Sequence, residues 1–434
     1  MTKNKLEKVI VLSYFAPPCN LTAAQRIKSW QNHLYKFGYY PITVTRNWTG
    51  DELNEYSRLM NSGSSERVEK NDNGTTYYLP YKQSLRDTIF IKSQSSAFFS
   101  YLSKLATFIN LIFQNYSLSY ISYNNLYYKT KELLGVSNDI KYVVISANPF
   151  EQFYFGYLLK KEFPDVKIIA DYRDDWTTSE LNPNKSFLQR IIHVINVRSE
   201  KKWLRSYDLI TSVSGEYANR LTNFTGIKSS VLLNGYDFEG IKLDHVENNH
   251  DTFTIVYNGS LYDSQPIEVF LNAYKKIIDT YKSKIALRLL FPGLKDNSVQ
   301  SHRVLSNMVS YESFIEVYSR MPRQNVVDMQ LASDVLLMIS HQNIKGIPSS
   351  KLYEYIGLKK PILLFPNDHD IVFQTLTDTK VGYICDDENQ IFEQLKNLIE
   401  EKIKNKKIEI SPVNIEFYSR EVQTKELANC LDKL

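Results

Sequence analysis

The segment Gly346-Ile-Pro-Ser-Ser-Lys-Leu-Tyr-Glu354 runs on into Tyr-Ile-Gly-Leu-Lys-Lys-Pro-Ile-Leu364. Pro348 ends a loop, and Ser349 or Ser350 is placed to cap a helix by accepting a bond from a free backbone N–H. Gly357 and Pro361 close that helix, and Pro361-Ile-Leu-Leu-Phe365 opens a buried strand. Such a helix aims unpaired N–H groups and its positive dipole end at whatever lies before it, which suits a phosphate. Glu354 sits about one turn inside, within reach of a hydroxyl on the same ligand. Three residues before it stands Lys351, not the Ser or Thr of a capping box, so Glu354 has no obvious local partner. The ordinary alternative is a helix-to-strand connection with a solvated glutamate. A phosphate subsite and a sugar-hydroxyl acceptor one turn apart describe a nucleotide-sugar pocket.

Other chemistry-bearing residues fall where short apolar runs end. The run Lys141–Ser146 leads into Ala147-Asn148-Pro149-Phe150, and Asn148 projects from the strand end. Asp171-Tyr-Arg-Asp-Asp-Trp176 follows another run, and strand carboxyl ends are where open α/β sheets bind ligands. There Asp171 and Asp174 flank Arg173 and can hold its guanidinium as a fork for phosphate or sugar. Structural ion pairing is the competing use, and a cluster without His is weak evidence for a metal. Tyr257-Asn-Gly-Ser-Leu-Tyr262 puts Gly259 and Ser260 where backbone N–H groups approach a nucleotide closely. The turn Ser13 to Arg26 lacks Gly-x-Gly-x-x-Gly, which argues against a dinucleotide cofactor. Within it, Asn20 and Arg26 are candidates to face an acceptor or a phosphate, a surface ion pair being the alternative for Arg26.

The elements that must position these groups alternate. Strands are read at Val9–Tyr14, Tyr40–Thr45, Lys141–Ser146, Val166–Asp171, Asp208–Val213 and Ser230–Leu233, with a helix over Thr22–Phe37. The pattern resumes with strands at Phe253–Tyr257, Ile285–Phe291, Phe314–Val317 and Asp334–Ile339, and helices at Pro266–Tyr281 and Gln324–Ala332. Short buried strands between helices predict doubly wound parallel sheets. The polar segment Asp237–Thr252 is the best linker. The predicted organisation is a Rossmann-like domain over 1–236, the linker 237–252, a second Rossmann-like domain over 253–411, and a terminal helix in 412–434. Two such domains place the working groups in a cleft between strand carboxyl ends. Asp51–Asn73 reads as a loop. Ser95–Leu118 reads as a strongly apolar helix that Lys104 and Asn110 make unsuited to spanning a bilayer. Core packing or a partner interface is favoured for it over contact with a membrane surface.

A chain of 434 residues suits two domains of roughly 200 each. Hydrophobic residues at 43% and charged residues at 23% exclude a disordered chain. Cys19, Cys385 and Cys430 are too far apart for a disulfide framework or zinc spacing, and a reducing cytoplasm is the simplest compartment. The N-terminus does not read as a signal peptide. Residues 1–235 hold 29 Lys+Arg against 20 Asp+Glu, so the first half expects an anionic partner, a phosphorylated substrate or an acidic membrane surface. No nucleic-acid motif is present.

Several motifs occur in an order that resembles the family 4 retaining glycosyltransferases of the GT-B architecture, particularly bacterial members that build surface polysaccharides. They are Tyr14-Phe-Ala-Pro-Pro with Arg26, Asp171-Tyr-Arg-Asp-Asp-Trp176, Asn234-Gly-Tyr-Asp237, Asn258-Gly-Ser260, Ala332-Ser-Asp-Val-Leu336 and Pro348-Ser-Ser-Lys-Leu-Tyr-Glu354. The resemblance implies two Rossmann-like domains facing each other across a cleft, with the last helix crossing back to the first domain. It implies transfer of a sugar from a nucleotide-sugar donor to a polysaccharide or lipid-linked saccharide, without metal or resident cofactor. By position, Glu354 would bind ribose hydroxyls, Ser349, Ser350 and Lys351 would lie by the diphosphate, and Gly259 and Ser260 would line the nucleotide pocket. Asn148, Asp171, Arg173 and Asp174 would face the acceptor and the transferring sugar. Gly346 stands where the family carries the first of two glutamates, and no Lys or Arg closely follows the Gly259 turn. A catalytically silent GT-B subunit that binds nucleotide sugar or a partner enzyme is the second reading. A sugar-nucleotide epimerase is the third, disfavoured because no His clearly occupies the site.

Overall fold

The computed structural model describes residues 6–19, 21–50, 59, 63–179, 186–244 and 249–434. The chain divides into two units, Met1–Leu233 with Glu421–Leu434, and Asn234–Arg420. Residues 237–244 and 249–252 of the expected linker fall in the second unit; 245–248 lie outside the described residues.

In the first unit the strands are β1 (Glu7–Ser13), β2 (Tyr39–Arg46), β3 (Arg67–Asn71), β4 (Gly74–Leu79), β5 (Ile140–Ala147), β6 (Lys167–Tyr172), β7 (Leu209–Ser212) and β8 (Ser229–Val231). Their order is β3-β4-β2-β1-β5-β6-β7-β8, and all neighbours are parallel except β3 against β4. The chain winds outward from β1 to β2 and β4, then returns to lay β5 on the other side of β1. That reversal makes a crevice at the carboxyl ends of β1 and β5. Alternation along β1 feeds both faces of the sheet. Ile10 and Leu12 join a core with Leu126, Phe153 and Trp203. Val9 and Val11 join another with Ile27 and Trp30 of the Thr22–His33 helix and with Leu427 and Leu431 of the C-terminal helix Arg420–Leu431.

The second unit carries β9 (Thr252–Val256), β10 (Ala286–Phe291), β11 (Ile315–Val317), β12 (Val335–Ile339), β13 (Ile362–Phe365) and β14 (Gly382–Ile384). Their order β11-β10-β9-β12-β13-β14 is wholly parallel and reverses between β9 and β12. Phe253, Ile255, Leu337 and Leu363 pack with the helices Ile267–Tyr281 and Glu388–Asn405. Asp334, just before β12, is clamped by Lys402 at 2.6 Å and accepts Thr254 N–H. Gly235 lets the segment after β8 run against the backbone of Tyr418 and Arg420, where any Cβ would lie 2.8 Å from Arg420 N.

Two expectations about elements are corrected. Residues 67–71, read as part of a loop, form β3, and Asn71 Oδ1 accepts Asn73 and Gly74 N–H to close the hairpin to β4. Residues 51–58 and 60–62 of that segment lie outside the described residues. The apolar segment forms the helix Ala97–Phe113, which is mostly surface rather than core.

Candidate functional site

In the second unit the reversal point brings together the ends of β9 and β12. After β9, Tyr257 N–H is bonded to Leu290 O, and Gly259 takes φ +90°, a left-handed conformation that suits glycine. Asn258 N–H donates to Tyr355 Oη at 2.8 Å, tying this turn to the helix Ser350–Gly357. Lys351, on the first turn of that helix, reaches back over the Tyr257 ring, 3.9 Å from its centre, and donates to Ser260 O at 3.3 Å. A Cβ on Gly259 would stand 4.0 Å from the ammonium. Among the described residues no carboxylate pairs with Lys351, and burial without an anion pulls its pKa down to about 7. Neither serine serves as the expected cap: Ser349 holds the N-cap position with no side-chain bond to the first N–H groups of this helix, and Leu352 N–H is taken by Ser349 O.

Beside the turn lies a hollow of about 600 Å³ whose walls include Asn258, Gly259, Ser260, Pro292, Asn297 and Arg320. Asn297 caps the helix Ser298–Ser306 by accepting Gln300 N–H. Sequence reading missed Asn297, Arg320 and His341. Arg320, from a stretch far along the chain, lines the hollow beside the Gly259 turn and lies 3.9 Å from Asp296. His341 follows β12, shares a hydrogen with Ser264 Oγ at 2.7 Å and packs against Tyr262. Burial and the nearby Lys351 charge hold its pKa below the usual imidazole value. The apolar run ending at residue 339 was the signal that marked its position.

Glu354 has no bonded side-chain partner on its own helix, as the spacing suggested, but two reach it from a helix distant in sequence. It accepts Gln330 Nε2 at 3.0 Å and lies 3.4 Å from Arg323, both on the helix Arg323–Ala332. Each carboxylate oxygen keeps capacity for a further donor. Gly346 takes φ +81° and donates its N–H to Asp370.

In the first unit the structure separates the candidates. Asp171 is fully buried on β6. It accepts two bonds from Arg26, at 2.8 and 3.0 Å, one from Ser146 at 2.7 Å and one from Thr211 at 2.8 Å. Arg26, also buried, spends its other donors on Leu232 O and Leu233 O and stacks on Trp30. The two therefore correct the expectation of ligand-facing roles: they satisfy each other inside the unit. Asn148 is exposed at the reversal point beside β1. Arg173 forks onto the exposed Asp174 carboxylate at 3.1 and 2.5 Å. Asn20 lies outside the described residues.

Under this cluster Glu200 is buried between Tyr172 and Thr177, and desolvation raises its pKa to about 7. A carboxyl whose folded pKa exceeds its unfolded one loses stabilisation as pH climbs between the two values, here from about 4.5 to about 7. Wild type should therefore lose up to about 3 kcal/mol between pH 5 and pH 8, and Glu200→Gln should flatten that decline. Thermal melts across pH check this; parallel curves for both proteins would refute it.

No protein-family model matches the sequence, and no curated protein is significantly similar to it. The fold has solved relatives. A trehalose-phosphate synthase (UDP-forming) from Burkholderia vietnamiensis superimposes with TM-score 0.59 at 9% identity, covering 98% of this chain and 100% of that one. Sucrose-phosphate synthase from Thermosynechococcus elongatus gives 0.57 at 10% identity over 98% and 94%. A glycosyltransferase from Rickettsia africae gives 0.56 at 10% identity over 99% of both chains. At these identities the likeness establishes the architecture: two parallel-sheet Rossmann-like units of the GT-B type.

Proposed function

We propose that this chain is a glycosyltransferase that takes its donor as a nucleotide sugar and binds the diphosphate at Lys351. One observation carries the reading: a cation with no carboxylate partner among the described residues, held at a helix N-terminus whose N-cap serine makes no side-chain bond, beside a glycine turn at the sheet's reversal point. Breaking the sugar–phosphate bond leaves positive charge on the sugar and negative charge on the diphosphate. A prearranged ammonium and free N–H groups stabilise the second, each worth about 3 kcal/mol in comparable sites. Ser349, Ser350, Gly259 and Ser260 complete that subsite, and Glu354, oriented by Gln330, accepts from the ribose. In the first unit Asn148, Arg173 and Asp174 are assigned to the acceptor. Retention of configuration, independence from metal, and an acceptor that is a polysaccharide or lipid-linked saccharide rest on the order of the motifs.

Thermal shift with UDP, GDP and ADP and their sugars, without and with a divalent metal, tests the reading. Stabilisation by one metal-free nucleotide is the expected outcome, with UDP the first probe because one structural relative is named as UDP-forming. No stabilisation by any would overturn it in favour of a silent subunit. The anomeric configuration of a product, read by NMR, tests retention. The site also predicts a pH dependence. Diphosphate favours charged Lys351, so binding takes up a proton above pH 7. Affinity should then fall up to about tenfold per unit as pH rises from 7 to 9, and a flat profile would remove Lys351 from the site.

A further inference from the structure

The helix Ala97–Phe113 keeps Phe98, Tyr101, Leu105, Ile109 and Phe113 exposed, with Phe98 at 70% and Tyr101 at 75%. Their spacing of three and four residues puts them on one stripe along about 25 Å of helix. The helix Phe187–Leu204, joined to the same region through Asn196 and Asn115, exposes Phe187, Leu188, Ile191 and Val194 on its first turns. Two neighbouring helices of one unit thus both turn apolar stripes outward, more than scattered surface apolars require.

Among the described residues of the segments that carry these stripes, the exposed charge has one sign. Lys92 stands over the Phe99 ring and Lys104 lies on the first helix, and Arg198 lies along the second, all exposed. Acidic groups of the same segments are turned inward. Asp87 is buried among Ser84, Tyr81 and Ser122, and Glu200 is buried between Tyr172 and Thr177. A second copy docking face to face through this patch would set its cations against cations of the same patch. Neither helix is long and apolar enough to cross a membrane.

We infer that this face docks on a bilayer surface bearing anionic lipid, with the two stripes at the headgroup boundary and the cations against the phosphates. The inference is independent of the donor site, whose residues all belong to the other unit.

Co-sedimentation of the full chain with vesicles tests it. The probes are phosphatidylcholine alone and phosphatidylcholine with roughly one-third phosphatidylglycerol, at about 0.05 M and about 0.5 M salt. Wild type should pellet with the anionic vesicles at low salt and lose tenfold or more of that binding at high salt. The double variant Tyr101→Glu with Leu105→Glu, and separately Lys104→Glu, should each weaken it while the melting temperature and nucleotide response stay unchanged. Absence of binding to anionic vesicles would overturn the inference. So would equal binding to neutral vesicles, or a wild-type dimer by light scattering that the double variant converts to monomer.

Discussion

Lys351→Met should make the unliganded protein more stable and its nucleotide binding weaker at the same time. The ammonium is held with its pKa near 7 because burial penalises its charge and no carboxylate among the described residues compensates. A base whose folded pKa lies below its unfolded one destabilises most at low pH, and the penalty fades as pH climbs from about 7 toward 10.5. Discounted for its partial exposure, removing the charge should add about 1–3 kcal/mol at pH 7, and the gain should shrink by pH 10. Loss of the charge-assisted contact should weaken nucleoside diphosphate binding by about 100-fold, close to 3 kcal/mol. Melting and calorimetric titration of both proteins read the two effects separately. Greater stability with unchanged affinity would mean that the buried charge is merely tolerated, and the donor assignment would fail.

Asp171→Asn should cost about 3–5 kcal/mol of folding stability, because it leaves the Arg26 guanidinium buried without its counter-ion. For a unit of this size that lowers the melting midpoint by roughly 10 °C. Nucleotide binding, proposed for the other unit, should be unaffected once the protein is folded. Replacing both partners, Arg26→Met with Asp171→Leu, should recover much of the loss because no charge remains buried. An Asp171→Asn protein with the wild-type midpoint but no turnover would show instead that this carboxylate takes part in the reaction.

The parallel strands were legible because each is a short apolar run buried on both faces. Expected and observed ends of β1, β5, β6, β9 and β10 differ by two residues at most. β3 was not legible, since Arg67-Val-Glu-Lys-Asn71 is exposed at every position and carries no apolar pattern. Its conformation comes from pairing with β4, where Arg67 stacks on Tyr78 and Glu69 accepts the Tyr78 hydroxyl. Glu354 shows the same limit at a site. Nothing within a turn of it offers a partner, whereas Gln330 and Arg323 arrive from a separate helix.

Periodicity, breakers and end signals act over a few residues, so the sequence by itself determined the alternation of strand and helix, the two-sheet class, and a phosphate-suited helix beginning near Ser350. It could not determine which charges meet. Arg26 and Asp171, 145 positions apart, read as two ligand-facing groups until the winding of the sheet closed one on the other. Lys351 was expected by the diphosphate only through the resemblance, and it is the return of β12 and β13 beside β9 that sets it over Tyr257 with no carboxylate paired to it among the described residues. Whether a charge is spent or available depends on the dielectric around it and on neighbours distant in sequence, and only the tertiary structure supplies both.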